Sequence, residues 1–267
     1  MHYELLYGGG LGDIFYQMYH RGSYNTLRDL KPNDTAEVYI VCHNPYAKEL
    51  FTIHPKTSQI KIHDCGYWGP EEDLIKRQKY NIPSTLSNGQ LPVLDNCIEY
   101  TIPESEKPLV ESVMEQKYIL MAASAGMDER NFPPEIFDAI LKTLLEKTDY
   151  YIVPVGRTYD RNGGHIELIY PHNYRILNCI DKLSVPSTAA LMQEARGLVT
   201  SHSALNILGW LERVPQLLLY PSSMLKRHYL NNQTDQWTFG FNYPETVRST
   251  FEEFNPELIE KFITKLL

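Results

Sequence analysis

Tyr3-Glu4-Leu5-Leu6-Tyr7-Gly8-Gly9-Gly10-Leu11-Gly12-Asp13-Ile14 stands at the head of the chain. Residues 3–7 are an apolar run with strand character, and a helix is expected from about residue 14. Strand, glycine turn and helix in that order make the opening unit of a parallel α/β sheet. Outward from it the alternation continues. Residues 36–42, Ala-Glu-Val-Tyr-Ile-Val-Cys, are a second strand rich in β-branched and aromatic side chains. Residues 45–51 are expected to form a short helix with Pro45 in its first turn. Residues 58–62 read as a third strand. The stretch 66–94 is broken by Gly66, Gly69, Pro70, Pro83, Gly89 and Pro92, leaving room for one short helix over 71–79. A last strand of this half is expected over 97–102.

Residues 103–108 are polar, with two prolines, and read as a linker. Beyond it the alternation restarts. Strands are expected over 117–122, 150–155, 197–201 and 215–220. Pro133 and Pro134 start a helix whose Ile136, Phe137, Ile140, Leu141, Leu144 and Leu145 recur at helical spacing. Ser187 is expected to cap a helix ending near 195, and Ser203 one ending near 211. A final amphipathic helix starts near Asn255 or Pro256. The expected fold class is α/β: two Rossmann-like domains, 1–104 and 105–267, with parallel sheets facing a central cleft. Ligands of such sheets bind beyond the carboxyl ends of the strands.

Composition excludes several classes of function. The chain has 267 residues, 43% hydrophobic and 22% charged, as in ordinary globular proteins. Lys plus Arg number 25 against 33 Asp plus Glu, a net charge of -8, which does not draw phosphate backbones from a distance. Lys76-Arg77-Gln78-Lys79 and Lys226-Arg227-His228 are the densest basic clusters and read as solvated faces. Cys42, Cys65, Cys97 and Cys179 form no C-x-x-C pair and are expected to be reduced, mostly buried thiols. No apolar run reaches the roughly 20 residues of a membrane span. Met1-His2-Tyr3-Glu4 lacks the start of a signal peptide, so a cytoplasmic protein is expected.

Three strand-to-helix loops carry the chemistry. Gly8-Gly9-Gly10-Leu11-Gly12-Asp13 offers outward amides and a helix start, which favour anions. It does not fit G-x-G-x-x-G, and Cys42-His43 rather than an acid ends the second strand, so nicotinamide chemistry is not expected. Asp13 reads equally as a first-turn capping acid or as a base. Ala122-Ala123-Ser124-Ala125-Gly126-Met127-Asp128-Glu129-Arg130 leads to the helix at Pro133. Arg130 there could clamp a phosphate or pair with Asp128 or Glu129. Thr200-Ser201-His202-Ser203-Ala204 offers two hydroxyls and free helix amides to a diphosphate, or simple capping by Ser203.

Together these segments resemble the heptosyltransferase-like glycosyltransferases of GT-B architecture. The residues that carry the likeness are Gly10-Leu11-Gly12-Asp13, Arg130-Asn131-Phe132-Pro133, Gly156 with Asp160, and His202-Ser203-Ala204 through Arg213-Val214-Pro215. The first loop is the sharpest match. His202 stands where that family has Asp, Ala204 where it has Gly, and Ile207 where it has His, and the chain is shorter than its typical members. The resemblance implies Asp13 as general base on a loop of Gly9, Gly10 and Gly12. It implies a donor site of Ser124, Arg130, Gly156, Ser201, His202, Ser203 and Ala204, and inversion at the sugar. The departures argue against carrying over ADP-heptose specificity.

The expected activity is transfer of a sugar from a nucleotide diphosphate to an acceptor hydroxyl. The acceptor is a glycan, a small metabolite or a modified nucleobase in DNA. No cofactor is expected beyond the nucleotide-sugar donor. No D-x-D pair and no H-E-x-x-H occur, so no metal site is expected, and His43, His54 and His63 read as ordinary residues. Tyr16, Tyr19, Tyr67 and Trp68 could line an acceptor surface or simply pack. The contrary reading is a non-catalytic nucleotide-sugar or glycan-binding module, motivated by the altered turn at His202-Ser203-Ala204.

Overall fold

The opening run forms β1 (His2–Gly9), and its glycine loop turns directly into α1 (Leu11–Tyr19). The computed structural model describes residues 1–19, 24–42, 44–66, 98–125, 128–158, 170–224 and 243–267. After α1 come α2 (Tyr24–Arg28), β2 (Thr35–Cys42), α3 (Glu49–Thr52) and β3 (Ile60–Asp64). These strands make a parallel sheet in the order β1-β2-β3, with Gly9 opposite Cys42 at the carboxyl edge. Tyr7, Val38 and Ile40 are buried in this half.

The second half contains α4 (Lys107–Met114), β4 (Tyr118–Ala122), α5 (Pro134–Lys147), β5 (Tyr151–Pro154), α6 (Val185–Glu194) and β6 (Gly197–Ser201). It continues with α7 (Ala204–Leu211), β7 (Gln216–Tyr220), β8 (Thr246–Thr250) and α8 (Glu257–Leu266). Its sheet is parallel throughout, in the order β5-β4-β6-β7-β8. β4, β6 and β7 are buried along their whole length, as parallel strands covered on both faces must be. On α5, Ile136, Phe137, Ile140, Leu141 and Leu144 are buried, each burial contributing about 1.5–3 kcal/mol. Two facing α/β units with parallel sheets match the expected fold class.

Four local expectations are corrected. Residues 98–102 form no strand: Ile98 is buried there, but the segment runs as irregular chain between the halves. The linker is shorter than expected, because Pro108 sits at the second position of α4, where proline's missing N–H costs nothing. The cap of α6 is Ser184, whose Oγ accepts from the Ser187 N–H. β8 was not expected, since Thr246-Val247-Arg248-Ser249-Thr250 lacks an apolar run; among the described residues it is an edge strand that pairs with β7. The helix expected over 71–79, Cys97, His43 and both basic clusters lie outside the described residues. No helix among the described residues is long and apolar enough to cross a membrane.

The halves meet where α1 packs against α7. Tyr16 stacks on Trp210 with ring centroids 6.3 Å apart and planes inclined by 12°. Tyr16 and Tyr19 are thus buried in this seam, not spread over an acceptor surface. The Tyr19 hydroxyl bonds to Glu212, just past α7, and lies 3.0 Å from the Tyr100 hydroxyl. Gln193 Nε2 donates to Glu212 at 2.9 Å and to the Ile98 carbonyl at 2.8 Å.

Burial holds the Glu212 carboxyl above its usual 4.5, against the opposing pull of hydrogen bonds from Tyr19 and Gln193. A carboxyl that binds its proton more tightly in the folded state makes stability fall as pH rises from 4.5 through the raised folded value. Glu212→Gln keeps an accepting oxygen and removes the buried charge. The variant is expected to melt above the parent at pH 7.5, with the gap closing toward pH 4.5. Melting curves at the two pH values check this; a variant that melts lower at pH 7.5 contradicts it.

Candidate active site

Asp13 sits three residues after Gly10, whose carbonyl accepts the first helical bond of α1 from the Ile14 N–H at 3.1 Å. Gly10 is therefore the N-cap, and its own N–H donates to Asp13 Oδ2 at 2.6 Å, the returning half of a capping box. Beneath this bond Gly9 has φ +105°, a conformation for glycine alone, and a Cβ there would stand 2.6 Å from Asp13 Oδ2. Gln17 fixes the loop from the other side: its amide takes the Gly8 N–H at 3.1 Å and donates to the Gly8 carbonyl at 2.8 Å. The half-buried carboxylate is thereby held at the carboxyl edge of β1.

In the second half, the chain steps from β4 outward to β5, then returns across β4 to β6. The sheet order reverses between β4 and β6, and open α/β sheets bind ligands at the carboxyl ends beside such a reversal. Two of the three loops named from the sequence meet there. After β4, the Phe132 N–H bonds to the Ala123 carbonyl and the Ala125 N–H to Asn131 Oδ1, both at 3.0 Å. This closes the loop and presents Arg130, half-buried, whose Nη1 donates to the His202 carbonyl at 3.4 Å. After β6, Ser203 caps α7, its Oγ accepting from the Leu205 N–H at 3.3 Å.

The remaining expected residues fall as follows. Ser124 lies by Gly156, where φ is +129° and a Cβ would stand 3.7 Å from Ser124 Oγ. Ser201 is fully buried, and its hydroxyl makes no hydrogen bond within the described residues. His202 is buried too, and Ala204 opens α7 half-exposed. Of the two serine hydroxyls expected to meet a diphosphate, one is enclosed and the other caps. Asp160, Tyr67 and Trp68 lie outside the described residues. Sequence reasoning named Asn131 beside Arg130 but did not foresee its bond to the Ala125 N–H, the contact of Arg157 with Glu49, or the reversal of strand order. No group of three or more His, Cys, Asp or Glu side chains among the described residues is placed to hold a metal ion.

No family model and no curated protein sequence matches the chain. Solved structures do. The Escherichia coli ADP-heptose lipopolysaccharide heptosyltransferase II is 11% identical with a TM-score of 0.59, over 100% of this chain and 98% of that one. A family 9 glycosyl transferase from Veillonella parvula is 12% identical with a TM-score of 0.59, over 99% and 97%. The dodecameric, iron-containing heptosyltransferase TibC of enterotoxigenic E. coli, in complex with ADP-heptose, is 13% identical with a TM-score of 0.50, over 100% and 77%. At these identities the likeness shows the fold, which is the two-domain architecture of the heptosyltransferases.

Proposed function

We propose that the protein is a glycosyltransferase that moves a sugar from a nucleotide diphosphate to an acceptor hydroxyl, with inversion and without a metal. One observation carries the reading most: the Arg130 guanidinium rests on the turn before α7, where the second sheet reverses its order. A diphosphate in that crevice meets an arginine fork and a helix N-terminus together. In the proposed step the acceptor oxygen attacks the anomeric carbon while Asp13 takes its proton. The bond from that carbon to the diphosphate oxygen breaks, and the electron pair leaves with the diphosphate. Arg130 and the α7 amides stabilise the charge that grows there. Residues 1–104 form the acceptor half and 105–267 the donor half.

A glycan or small metabolite suits the net charge of -8 better than DNA does. A second reading, nucleotide-sugar binding without transfer, is favoured by the Gly10–Asp13 bond, which accounts for Asp13 as a cap alone. Incubation with a panel of sugar nucleotides, watching for nucleotide diphosphate release, separates the two. No release or transfer with any donor and acceptor leaves the binding reading standing.

Transfer is expected to survive a chelator, because the charge-bearing groups are Arg130 and backbone amides. Assays with EDTA, and with iron, magnesium or manganese restored, check this. Full loss in EDTA, recovered with a metal, contradicts the metal-free reading. The likeness to an iron-containing heptosyltransferase makes iron the first metal to add back.

A further inference from the structure

Arg157 belongs to neither loop that meets at the reversal. It follows Gly156 at the end of β5, on the same edge as Ser124. From there it reaches into the other half. Its guanidinium carbon lies 4.5 Å above the Tyr46 ring, and Nη2 stands 3.5 Å from Glu49 Oε1 on α3. The second oxygen of Glu49 accepts the Val185 N–H at 2.8 Å, at the start of α6. One carboxylate of the first half is thus shared between a guanidinium and a helix N-terminus of the second half, each favouring an anion. The Arg157 and Glu49 side chains are 25% and 24% exposed.

This contact differs in kind from the α1–α7 seam. That seam is largely aromatic and enclosed. The Glu49–Arg157 pair is charged, partly wet and set at the strand-end rim. A pair this exposed shifts an equilibrium by only roughly two- to fivefold, too little to decide whether either half folds. Between two bodies already joined at the α1–α7 seam, the same shift biases how they sit.

We propose that Glu49 and Arg157 are positioning residues that hold the acceptor and donor halves at working separation. The proposal rests on the transferase reading for its effect on turnover, but not for its effect on shape. Misplacing reacting groups by about 1 Å costs up to about a hundredfold in rate. Nucleotide binding, confined to the second half, is untouched.

Glu49→Gln and Arg157→Met, singly and together, test this. The glutamine side chain retains an oxygen for the Val185 N–H and loses the charge; the methionine keeps an apolar stem over Tyr46. Each single variant is expected to keep its melting temperature and its calorimetric affinity for nucleotide diphosphates. Each is expected to give a larger radius of gyration by small-angle scattering and a kcat lowered about two- to fivefold, the share of molecules that leave the working arrangement. The double variant is expected to lose no more than the worse single one. Unchanged scattering in both variants, or additive losses, overturns the proposal. Weaker nucleotide binding in Arg157→Met also overturns it, making Arg157 a donor ligand. Should the parent transfer no sugar, the transferase reading fails, and scattering alone still decides this one.

Discussion

Asp13→Asn is expected to slow sugar transfer at least about a hundredfold, within the 10²–10⁴ range for loss of a general base. The variant separates chemistry from folding, because asparagine keeps a side-chain oxygen to accept the Gly10 N–H that Asp13 now accepts at 2.6 Å. The α1 start, the Gly9 turn and the nucleotide affinity should therefore be as in the parent. Asp13→Ala removes the acceptor as well and is expected to cost about 0.5–2 kcal/mol of stability. Melting temperature and turnover on both variants form the test. If the aspartate is only a cap, the alanine variant loses stability while the asparagine variant is stable and turns over normally. That pair of results would end the catalytic assignment.

Arg130→Ala is expected to weaken binding of a nucleotide diphosphate by about 1.5–3 kcal/mol, the range for a hydrogen bond to a charged group. In dissociation constant this is roughly 10- to 150-fold. Affinity for the corresponding nucleoside, which lacks phosphates, should not change. That control matters because Arg130 also donates to the His202 carbonyl, so its loss could loosen the turn before α7 by itself. A loosened turn would weaken nucleoside and nucleotide alike. Arg130→Lys should fall between, keeping charge and losing the planar fork. Calorimetry showing unchanged nucleotide diphosphate affinity in the alanine variant rules the assignment out.

Much of the fold was written in local pattern. Gly197-Leu198-Val199-Thr200-Ser201 is apolar, bounded by a turn signal on each side, and forms a strand over those very residues. Ser203 sits ahead of an apolar helix and caps it as a serine there should. What failed were elements defined by partners. Residues 98–102 carry strand-like side chains, yet Ile98 spends its carbonyl on Gln193 and Tyr100 meets Tyr19, and no ladder forms there among the described residues. Thr246–Thr250 has little apolar character and becomes a strand because the edge of β7 is open beside it. The likeness to heptosyltransferases in the sequence was supported by the fold. The site was legible as three loops but not as a place. No local pattern encodes strand order, so the reversal beside Arg130 appears only in three dimensions, as does the reach of Arg157 to Glu49.

The meeting of α1 with α7 bears on how the chain comes off the ribosome. Tyr19 and its partner Glu212 are 193 positions apart. At about 5–20 residues per second, the first helix waits roughly 10–40 s for the residues that cover it. Through that interval Tyr16 has no Trp210 to stack on and Tyr19 no Glu212 to bond, though both side chains are buried at the end. The newborn first half carries an aromatic stripe in search of a surface. Nascent chains stalled before α7 should be the aggregation-prone and chaperone-bound species, and those stalled well beyond it should not.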